Sequence, residues 1–280
     1  MEIRDEEIKE FIKVLTSIST YDFSDYSEKS FKRRMEKLVN DSNCSLNDIT
    51  QKIKNNKSYL EKIVRDITVN TTELFRDPKV WIEIQKEIIP KIKELKDINI
   101  WHAGCSSGQE LYSMLMLLNE NNLLEKATIV GTDLNTEMID EAEKGSFKYR
   151  FNAEYLPNFD QVLNIDTEKA KIPYSKYMDI DQGRDLLKMK PFLVSKPKFF
   201  KHDLVNDKNI FDFKFDLIMC RNVLIYFNNN LQNKVFEKFW ESLNDNGVLI
   251  IGLHESIMGT ISSKYLKKSQ LYFKKSTSVH

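Results

Sequence analysis

Two turns in the chain combine residue types that could bind a ligand. The small-residue turn Gly104–Gly108 follows an apolar run, and Asp133 ends the next apolar run, 25 residues after Gly108. Such a turn lets a ligand approach the backbone and points the N–H groups of the following helix at it. An Asp at the second position can accept hydrogen bonds from both hydroxyls of a ribose. By itself the turn fits an ordinary strand-to-helix connection equally well, but with the Asp it favours a nucleoside-containing ligand.

The ligand that these two features favour is S-adenosylmethionine. The fingerprint G-x-G-x-x-G of nicotinamide dinucleotide enzymes is missing from the turn, so an adenosyl group without a pyrophosphate fits better than a dinucleotide. The alternative for Asp133 is a cap of the following helix, but Asn135 or Thr136 is available for that role. We therefore expect Asp133 to bind the ribose.

Two further polar sites lie near predicted element ends. Arg221 and Asn222 follow a later apolar run and precede an apolar and aromatic stretch that contains Tyr226. This order predicts hydrogen-bonding groups and an aromatic ring at the mouth of a pocket, although part of the stretch must pack in the core. Arg76 lies beside Phe75 at the end of a run of small polar residues, where its side chain could reach a carboxylate.

The apolar patterns that must position these residues change near residue 98. Before it the spacing is helical throughout, and after it short apolar runs alternate with amphipathic helices. Strands are predicted at 98–104, 127–134, 215–220 and 247–252, and helices at 109–119, 136–144 and 232–243. Nearly continuous apolar strands between helices indicate a parallel sheet covered on both faces. The fold class is therefore α/β, a doubly wound, mostly parallel Rossmann-like sheet that ends in an antiparallel hairpin near Lys268 and Ser269.

The domain organisation follows from the same patterns. We expect an all-α N-terminal domain over 1–76, a linker helix over 77–97 that Asp77 caps ahead of Pro78, and a methyltransferase-type domain over 98–280. The βα alternation is interrupted at about 147–198, where four of the six prolines lie. A structureless loop of that length is improbable, so this stretch is predicted to form a small inserted β-subdomain with a helical pattern at 185–189.

Composition excludes several classes of protein. The 280 residues carry 42 Lys and Arg against 42 Asp and Glu, and this zero net charge argues against a nucleic-acid-binding protein. Three Cys and four His are scattered without metal-ligand or disulfide spacing, so no metal is expected. The N-terminus is not a secretory signal, and no apolar run could span a bilayer. We expect a soluble, cytoplasmic protein without membrane insertion, and a monomer by default.

Four motifs, taken together, resemble those of one family. They are TVNTTELFRDP (68–78), AGCSSGQELYS (103–113), GTDL (131–134) and CRNVLIYF (220–227). Their order and spacing are similar to those of the chemotaxis receptor methyltransferases, the CheR family, over most of the chain. The resemblance implies transfer of a methyl group from S-adenosylmethionine, with S-adenosylhomocysteine as product, to glutamate side chains on the cytoplasmic helices of chemoreceptors, the methyl-accepting chemotaxis proteins.

The resemblance also implies roles for individual residues. It assigns cofactor contacts to Asn70, Thr72, Arg76, Ala103, Glu110, Asp133, Asp203, Leu204, Asn222 and Val223. Two departures from the family pattern matter. The usual Gly-Glu-Glu-Pro-Tyr is Gly108-Gln109-Glu110-Leu111-Tyr112 here, and Asp203 replaces an Asn that flanks the adenine. For catalysis we expect Arg76 to orient the substrate carboxylate or the cofactor's own carboxylate, and Tyr226 to shape the pocket.

A basic segment in the N-terminal region supplies a candidate docking surface. Five cations and one acid lie within 29–37, a local balance of +5 − 1 = +4. The cations are Lys29, Lys32, Arg33, Arg34 and Lys37. Such a segment is often only a solvated helix face, but the resemblance favours docking on the glutamate-bearing receptor helix. Two alternatives stay open: a non-catalytic signalling module that binds S-adenosylmethionine or S-adenosylhomocysteine, and a methyltransferase of the same fold with another acceptor.

Overall fold

The computed structural model describes residues 3–68, 70–166, 168–207 and 210–275. The α-helices are α1 (Asp5–Ile18), α2 (Glu28–Ser42), α3 (Leu46–Asn55), α4 (Lys57–Ile67), α5 (Pro78–Glu83), α6 (Ile89–Lys93), α7 (Gln109–Glu120), α8 (Thr136–Lys144), α9 (Tyr149–Asn152), α10 (Leu156–Leu163), α11 (Pro191–Val194) and α12 (Asn229–Ser242). The strands are β1 (Ile98–Ala103), β2 (Ala127–Asp133), β3 (Ser146–Lys148), β4 (Met178–Asp181), β5 (Leu186–Met189), β6 (Lys198–Lys201), β7 (Phe215–Cys220), β8 (Leu243–Ile251), β9 (Tyr265–Lys268) and β10 (Leu271–Lys274).

Helices α1 to α4 enclose a hydrophobic core of their own. Phe11, Leu15, Met35 and Ile49 are completely or almost completely buried in it. Local capping fixes the start of α3, where the side chain of Ser45 accepts a hydrogen bond from the backbone N–H of Asp48. Since each of these helices is amphipathic, their apolar faces can only be buried against one another.

The main sheet has seven strands in the order β6-β2-β1-β7-β8-β10-β9. Strands β6, β2, β1, β7 and β8 run parallel to one another. Strand β10 pairs antiparallel with both β8 and β9. The predicted α/β class, the mostly parallel sheet and the terminal hairpin are therefore confirmed. From β1 the chain first adds strands on one side, through β2 to β6, and then on the other, through β7 and β8. The order reverses between β1 and β7, and such a reversal opens a crevice at the carboxyl ends of the strands.

A second, three-stranded sheet comes from the interrupted stretch. Its order is β3-β5-β4 and its pairing is antiparallel. Residues 185–189, for which a helical pattern was predicted, form mostly the strand β5 instead, because Leu187 and Met189 are buried at strand spacing against the core. Of the α-helices in this stretch, α9 and α10 lie upstream of β5 and the short α11 lies downstream of it. The boundaries expected for the domains stay a prediction.

The linker, predicted as one helix over 77–97, is helical from Pro78 to Lys93. Pro78 begins α5 as predicted, but a π-helical turn (Ile84–Ile88) separates α5 from α6. The carboxylate of Asp77 makes no cap to the helix. It accepts a hydrogen bond from Arg221 Nη2 at 2.7 Å instead. Across the described residues, none of the helices has the length and apolar content needed to cross a membrane.

Candidate active site

A cleft opens at the carboxyl ends of the strands, where the strand order reverses. It holds about 700 Å³ of empty space when its open, solvent-filled mouth is counted. Of the predicted site residues, it is lined by Asn70, Asp133, Asp203, Leu204, Asn222, Val223 and Tyr226. Residues far apart in the sequence thus meet at one edge of the sheet. Arg34 of the predicted docking set and Tyr26 line the same cleft.

The glycine turn after β1 forms one wall of the cleft. Gly104 has φ +75°, and a Cβ atom there would lie 2.5 Å from Val223 Cγ2. The turn can therefore approach Val223 only with glycine at this position. Gly108, with φ +93°, follows in the same turn and precedes α7. The turn thus places the backbone of Gly104 in the lining of the cleft, and the binding of a ligand by this turn stays a prediction.

Asp133 lies at the end of β2 and faces this turn. Its Oδ2 accepts a hydrogen bond from Ser106 N at 2.8 Å, and its Oδ1 accepts one from Asn135 N at 2.9 Å. Burial raises the Asp133 pKa above its usual range, although the backbone hydrogen bonds oppose the shift. Asn135 caps α8 through its side chain, as expected, so Asp133 is not needed as a cap. Each carboxylate oxygen retains lone-pair capacity towards the cleft.

Asn222 faces the cleft from the end of β7. Its backbone has φ +62°, a left-handed conformation that Asn tolerates better than most residues. Its side-chain Oδ1 is buried and accepts no hydrogen bond from the residues that the structure describes. A buried acceptor without a partner is costly, and a hydrogen-bond donor of a bound ligand would satisfy it. This atom, together with Asp133 across the cleft, fits an adenosyl ligand.

Asp203 and Leu204 line the cleft in different ways. Leu204 is buried and apolar, as a surface for a base requires. Asp203 Oδ1 accepts a hydrogen bond from Val205 N at 2.8 Å, and its Oδ2 accepts one from Asn206 Nδ2 at 3.0 Å. The carboxylate that replaces the family's amide therefore stabilises its own turn, and its contact with adenine stays a prediction.

Glu110 and Arg221 form an ion-pair network behind the cleft. Arg221 has a completely buried side chain, and its guanidinium donates to Glu110 Oε2 at 3.0 Å, to Asp77 Oδ2 at 2.7 Å and to the Arg76 carbonyl at 3.0 Å. Glu110 Oε1 lies 3.1 Å from His102 Nδ1. Burial alone would raise the Glu110 pKa, but His102 and Arg221 outweigh it and hold the pKa below its usual value. Both oxygens thus have protein partners, and the network ties the linker to β1, α7 and β7.

The other predicted cofactor residues lie beside the cleft rather than in its lining. Thr72 accepts a hydrogen bond through Oγ1 from Glu110 N at 3.3 Å and faces a neighbouring groove. Ala103 is buried at the end of β1. The Arg76 side chain is 28% exposed and lies 3.8 Å from Glu73 Oε1. This weak pairing leaves the guanidinium of Arg76 available to a ligand or substrate carboxylate.

Tyr226 lies at the mouth of the cleft among cationic side chains. The guanidinium carbon of Arg34 lies 4.8 Å from the centroid of its ring, and Arg34 also donates to the Ile67 carbonyl at 2.7 Å. Burial raises the Tyr226 pKa, while Arg34 and Arg76 act in the opposite direction. The phenol therefore stays protonated near neutral pH and can donate a hydrogen bond at the cleft mouth.

A short segment just before α2 also contacts this mouth. Tyr26 pairs with Phe227 in an antiparallel bridge, and Ser27 N donates to the Tyr226 carbonyl at 2.9 Å. The contribution of Tyr26 escaped the sequence argument, because nothing in its neighbourhood marks it as part of a site formed by the distant motif around Tyr226. The buried position of Arg221 was also missed: an arginine after a strand gives no sign of whether it faces solvent or the core.

The remaining cations of α2 lie at different depths. Lys29 and Lys32 line a groove between α1 and α2, and Lys32 Nζ lies 2.7 Å from Asp5 Oδ1. Arg33 and Lys37 are exposed. Only Arg34 enters the cleft itself. Among the described residues, no group of three or more His, Cys, Asp or Glu side chains is placed to hold a metal ion.

The chain is similar to known methyltransferases over most of its length. The family model described as "CheR methyltransferase, SAM binding domain" matches residues 70–273. The chain is 31% identical to a methyltransferase named Cher3 from Pseudomonas putida over 276 residues, which covers 97% of both proteins. It is 32% identical over 217 residues to the chemotaxis protein methyltransferase of Borreliella burgdorferi, covering 74% of this chain and 71% of that protein. A chemotaxis protein methyltransferase of Listeria monocytogenes is 28% identical over 89% of each chain.

Proposed function

This chain belongs to the CheR methyltransferase family, and on that premise we propose that it transfers the methyl group of S-adenosylmethionine to glutamate side chains on the cytoplasmic helices of chemoreceptors. One observation carries the proposal. The cleft that holds Asp133 and Asn222 at its base has a basic helix, α2, at its mouth, with Arg34 against Tyr226. The site of the cofactor and a surface suited to an acidic substrate are thus next to each other.

The residues present fit S-adenosylmethionine. We assign Asp133 to the ribose and the unpartnered Oδ1 of Asn222 to a donor on the adenosine part, and Val223 and Leu204 offer apolar surface. Asn70 lines the same cleft from the linker. Thr72, Arg76, Ala103 and Glu110 lie behind or beside these residues, and we assign them supporting contacts. When bound, the cofactor supplies an activated methyl group on a sulfonium.

The protein's own task is positioning and exclusion of water. A glutamate has an unperturbed pKa of about 4.3, so at neutral pH it is already a nucleophile and needs no general base. Holding its oxygen in line with the methyl group can contribute roughly 7–11 kcal/mol in well-oriented systems. Opposite charges cancel as the methyl group moves, so a cleft without bulk water favours the step.

Arg76 and Tyr226 are the residues to which we assign this orientation. Arg76 is only loosely paired with Glu73, so its guanidinium can contact a carboxylate without a large competing interaction. Too tight a pair would weaken the nucleophile, so Arg76 orients rather than neutralises it. Tyr226 shapes the wall and donates from its phenol.

Docking of the receptor is assigned to the cations of α2. Lys29, Arg33 and Lys37 repeat every four residues along the helix, and Lys32 and Arg34 flank them. An acidic receptor helix would be attracted to this surface and guided to the adjacent cleft. The receptor is the partner that this geometry suits, and the cytoplasm is where its glutamate-bearing helices lie.

Labelled transfer tests the proposal. The protein is incubated with S-adenosylmethionine labelled in the methyl group and with receptor-containing membranes, and the product is treated with base. We expect base-labile label on the receptor, because a glutamate methyl ester releases methanol in alkali. Binding of S-adenosylhomocysteine without any transfer would indicate a signalling module, and transfer only to another acceptor would indicate a different methyltransferase; either result contradicts the proposal.

A further inference from the structure

A buried carboxylate lies directly behind the turn that carries Asn222 and Tyr226. It belongs to Glu255, which follows β8 and is only 7% exposed. Its Oε2 accepts hydrogen bonds from Gly252 N at 2.6 Å and Asn222 N at 2.9 Å. Its Oε1 accepts hydrogen bonds from Leu224 N at 2.8 Å and Ile225 N at 3.2 Å. A single side chain thus binds four backbone N–H groups.

The local backbone offers these four N–H groups no carbonyl acceptor from a strand or helix. Asn222 has left-handed backbone geometry after β7, and Leu224–Tyr226 is one short 3₁₀ turn. A carboxylate is suited to this place because it has two oxygens that only accept hydrogen bonds. Charge-assisted bonds of this kind are stronger than those between neutral groups. Glu255 therefore determines the conformation of the turn.

The approach of Glu255 depends on the residue opposite. A Cβ atom at Gly252 would lie 2.8 Å from Glu255 Oε2 and 3.0 Å from Asn222 N. Gly252 therefore leaves room for the carboxylate to reach the turn. Because the turn presents Asn222, Val223 and Tyr226 to the cleft, a shift of the carboxylate would move all three.

We propose that Glu255 is a positioning residue for the cofactor and for methyl transfer, and that Gly252 is required for its approach. It touches neither the cofactor nor the substrate. It holds the turn so that Asn222 faces the adenosine part of the cofactor and Tyr226 faces the methyl group, and the assignment of those two contacts rests on the proposed function.

The test is the binding of S-adenosylhomocysteine, measured by isothermal titration calorimetry without receptor. Glu255→Gln keeps the size of the side chain but turns one acceptor into a donor that faces two N–H groups, so we expect Kd to rise about tenfold or more. Glu255→Asp keeps the charge and should restore part of the affinity. Since no receptor is present, a wrong assignment of the methyl acceptor would leave this pattern unchanged.

A matched control separates positioning from general stability. Tyr265→Phe removes another buried hydrogen bond, from the phenol to the Phe236 carbonyl at 2.9 Å, away from the cleft. We expect it to lower Tm but to leave Kd at the wild-type value. If Glu255→Gln does not fold, Gly252→Ala retains the carboxylate and displaces it, and should also raise Kd. Wild-type Kd in a folded Glu255→Gln or Gly252→Ala variant, or an equal rise in Tyr265→Phe, would overturn the proposal.

Discussion

Replacing Arg221 with methionine should destabilise the protein more than any change of an exposed arginine. The guanidinium donates three hydrogen bonds, to the Glu110 carboxylate, the Asp77 carboxylate and the Arg76 carbonyl, and its side chain is completely buried. Methionine fills much of the volume of the stem but leaves both carboxylates without their cation. The substitution therefore removes the buried cation while the two acids stay partly buried.

The structure sets the size of this effect. Breaking a fully buried pair by removing one partner costs about 3–5 kcal/mol. The side chains of Asp77 and Glu110 are 27% and 14% exposed, so water can reach both acids and the lower end of the range applies. For a chain of 280 residues, about 3 kcal/mol corresponds to a fall in Tm of roughly 5 °C.

Thermal and urea unfolding of Arg221→Met measure this loss directly. Arg184→Met is the matched control, because the Arg184 side chain is 84% exposed in its pair with Asp181 and its removal should leave Tm nearly unchanged. A double-mutant cycle with Asp77→Asn should show strong coupling, since the two side chains are in contact. An Arg221→Met variant with the Tm of the wild type would refute the claim that this arginine ties the linker to the sheet.

Three further predictions concern ligand binding and turnover. Asp133→Asn should raise the Kd for S-adenosylhomocysteine about tenfold in calorimetry. Burial raises the Asp133 pKa, and the ionised form binds the ribose. The affinity of the wild type should therefore fall on acidification at a higher pH than it would with an ordinary Asp. Unchanged affinity in Asp133→Asn would exclude ribose binding by this residue. Arg76→Ala should lower kcat about tenfold or more in the methyl-transfer assay through loss of orientation, and full turnover with intact cofactor binding would disprove the assigned role. Charge reversal of Arg33 and Lys37 should raise the KM for the receptor in a salt-dependent way, with little change in kcat. Charge reversal of Lys54, which is exposed on α3, is the control and should leave this KM unchanged. An equal rise in KM in both variants would exclude specific docking on α2.

The parallel part of the sheet was predictable because its signals are local. Buried strands such as β1 and β7 are nearly continuous apolar runs, and two glycines mark the turn after β1. The predicted starts and ends of α7 and α8 agree with the structure to within a residue. Hydrophobic periodicity specifies such elements without reference to the rest of the chain.

Features that depend on distant partners were not predictable. Residues 185–189 have a composition compatible with a helix, yet pairing with β3 and β4 makes most of them a strand. Asp77 lies at the sequence position of a helix cap, but its carboxylate accepts a hydrogen bond from Arg221 instead. The four bonds of Glu255 and the position of Arg34 in the cleft are likewise tertiary. Sequence spacing carries no information on which of several polar side chains will be the nearest in space.

The position of bound S-adenosylhomocysteine tests the central claim most directly. A crystal structure of the complex should place the ribose at Asp133, the adenosine part within reach of Asn222 Oδ1, and the sulfur towards Tyr226 and Arg76. Such a position would put the transferred methyl group at the mouth that α2 lines. Density in another cavity, or a ligand in this cleft with its sulfur turned away from Tyr226, would contradict the account.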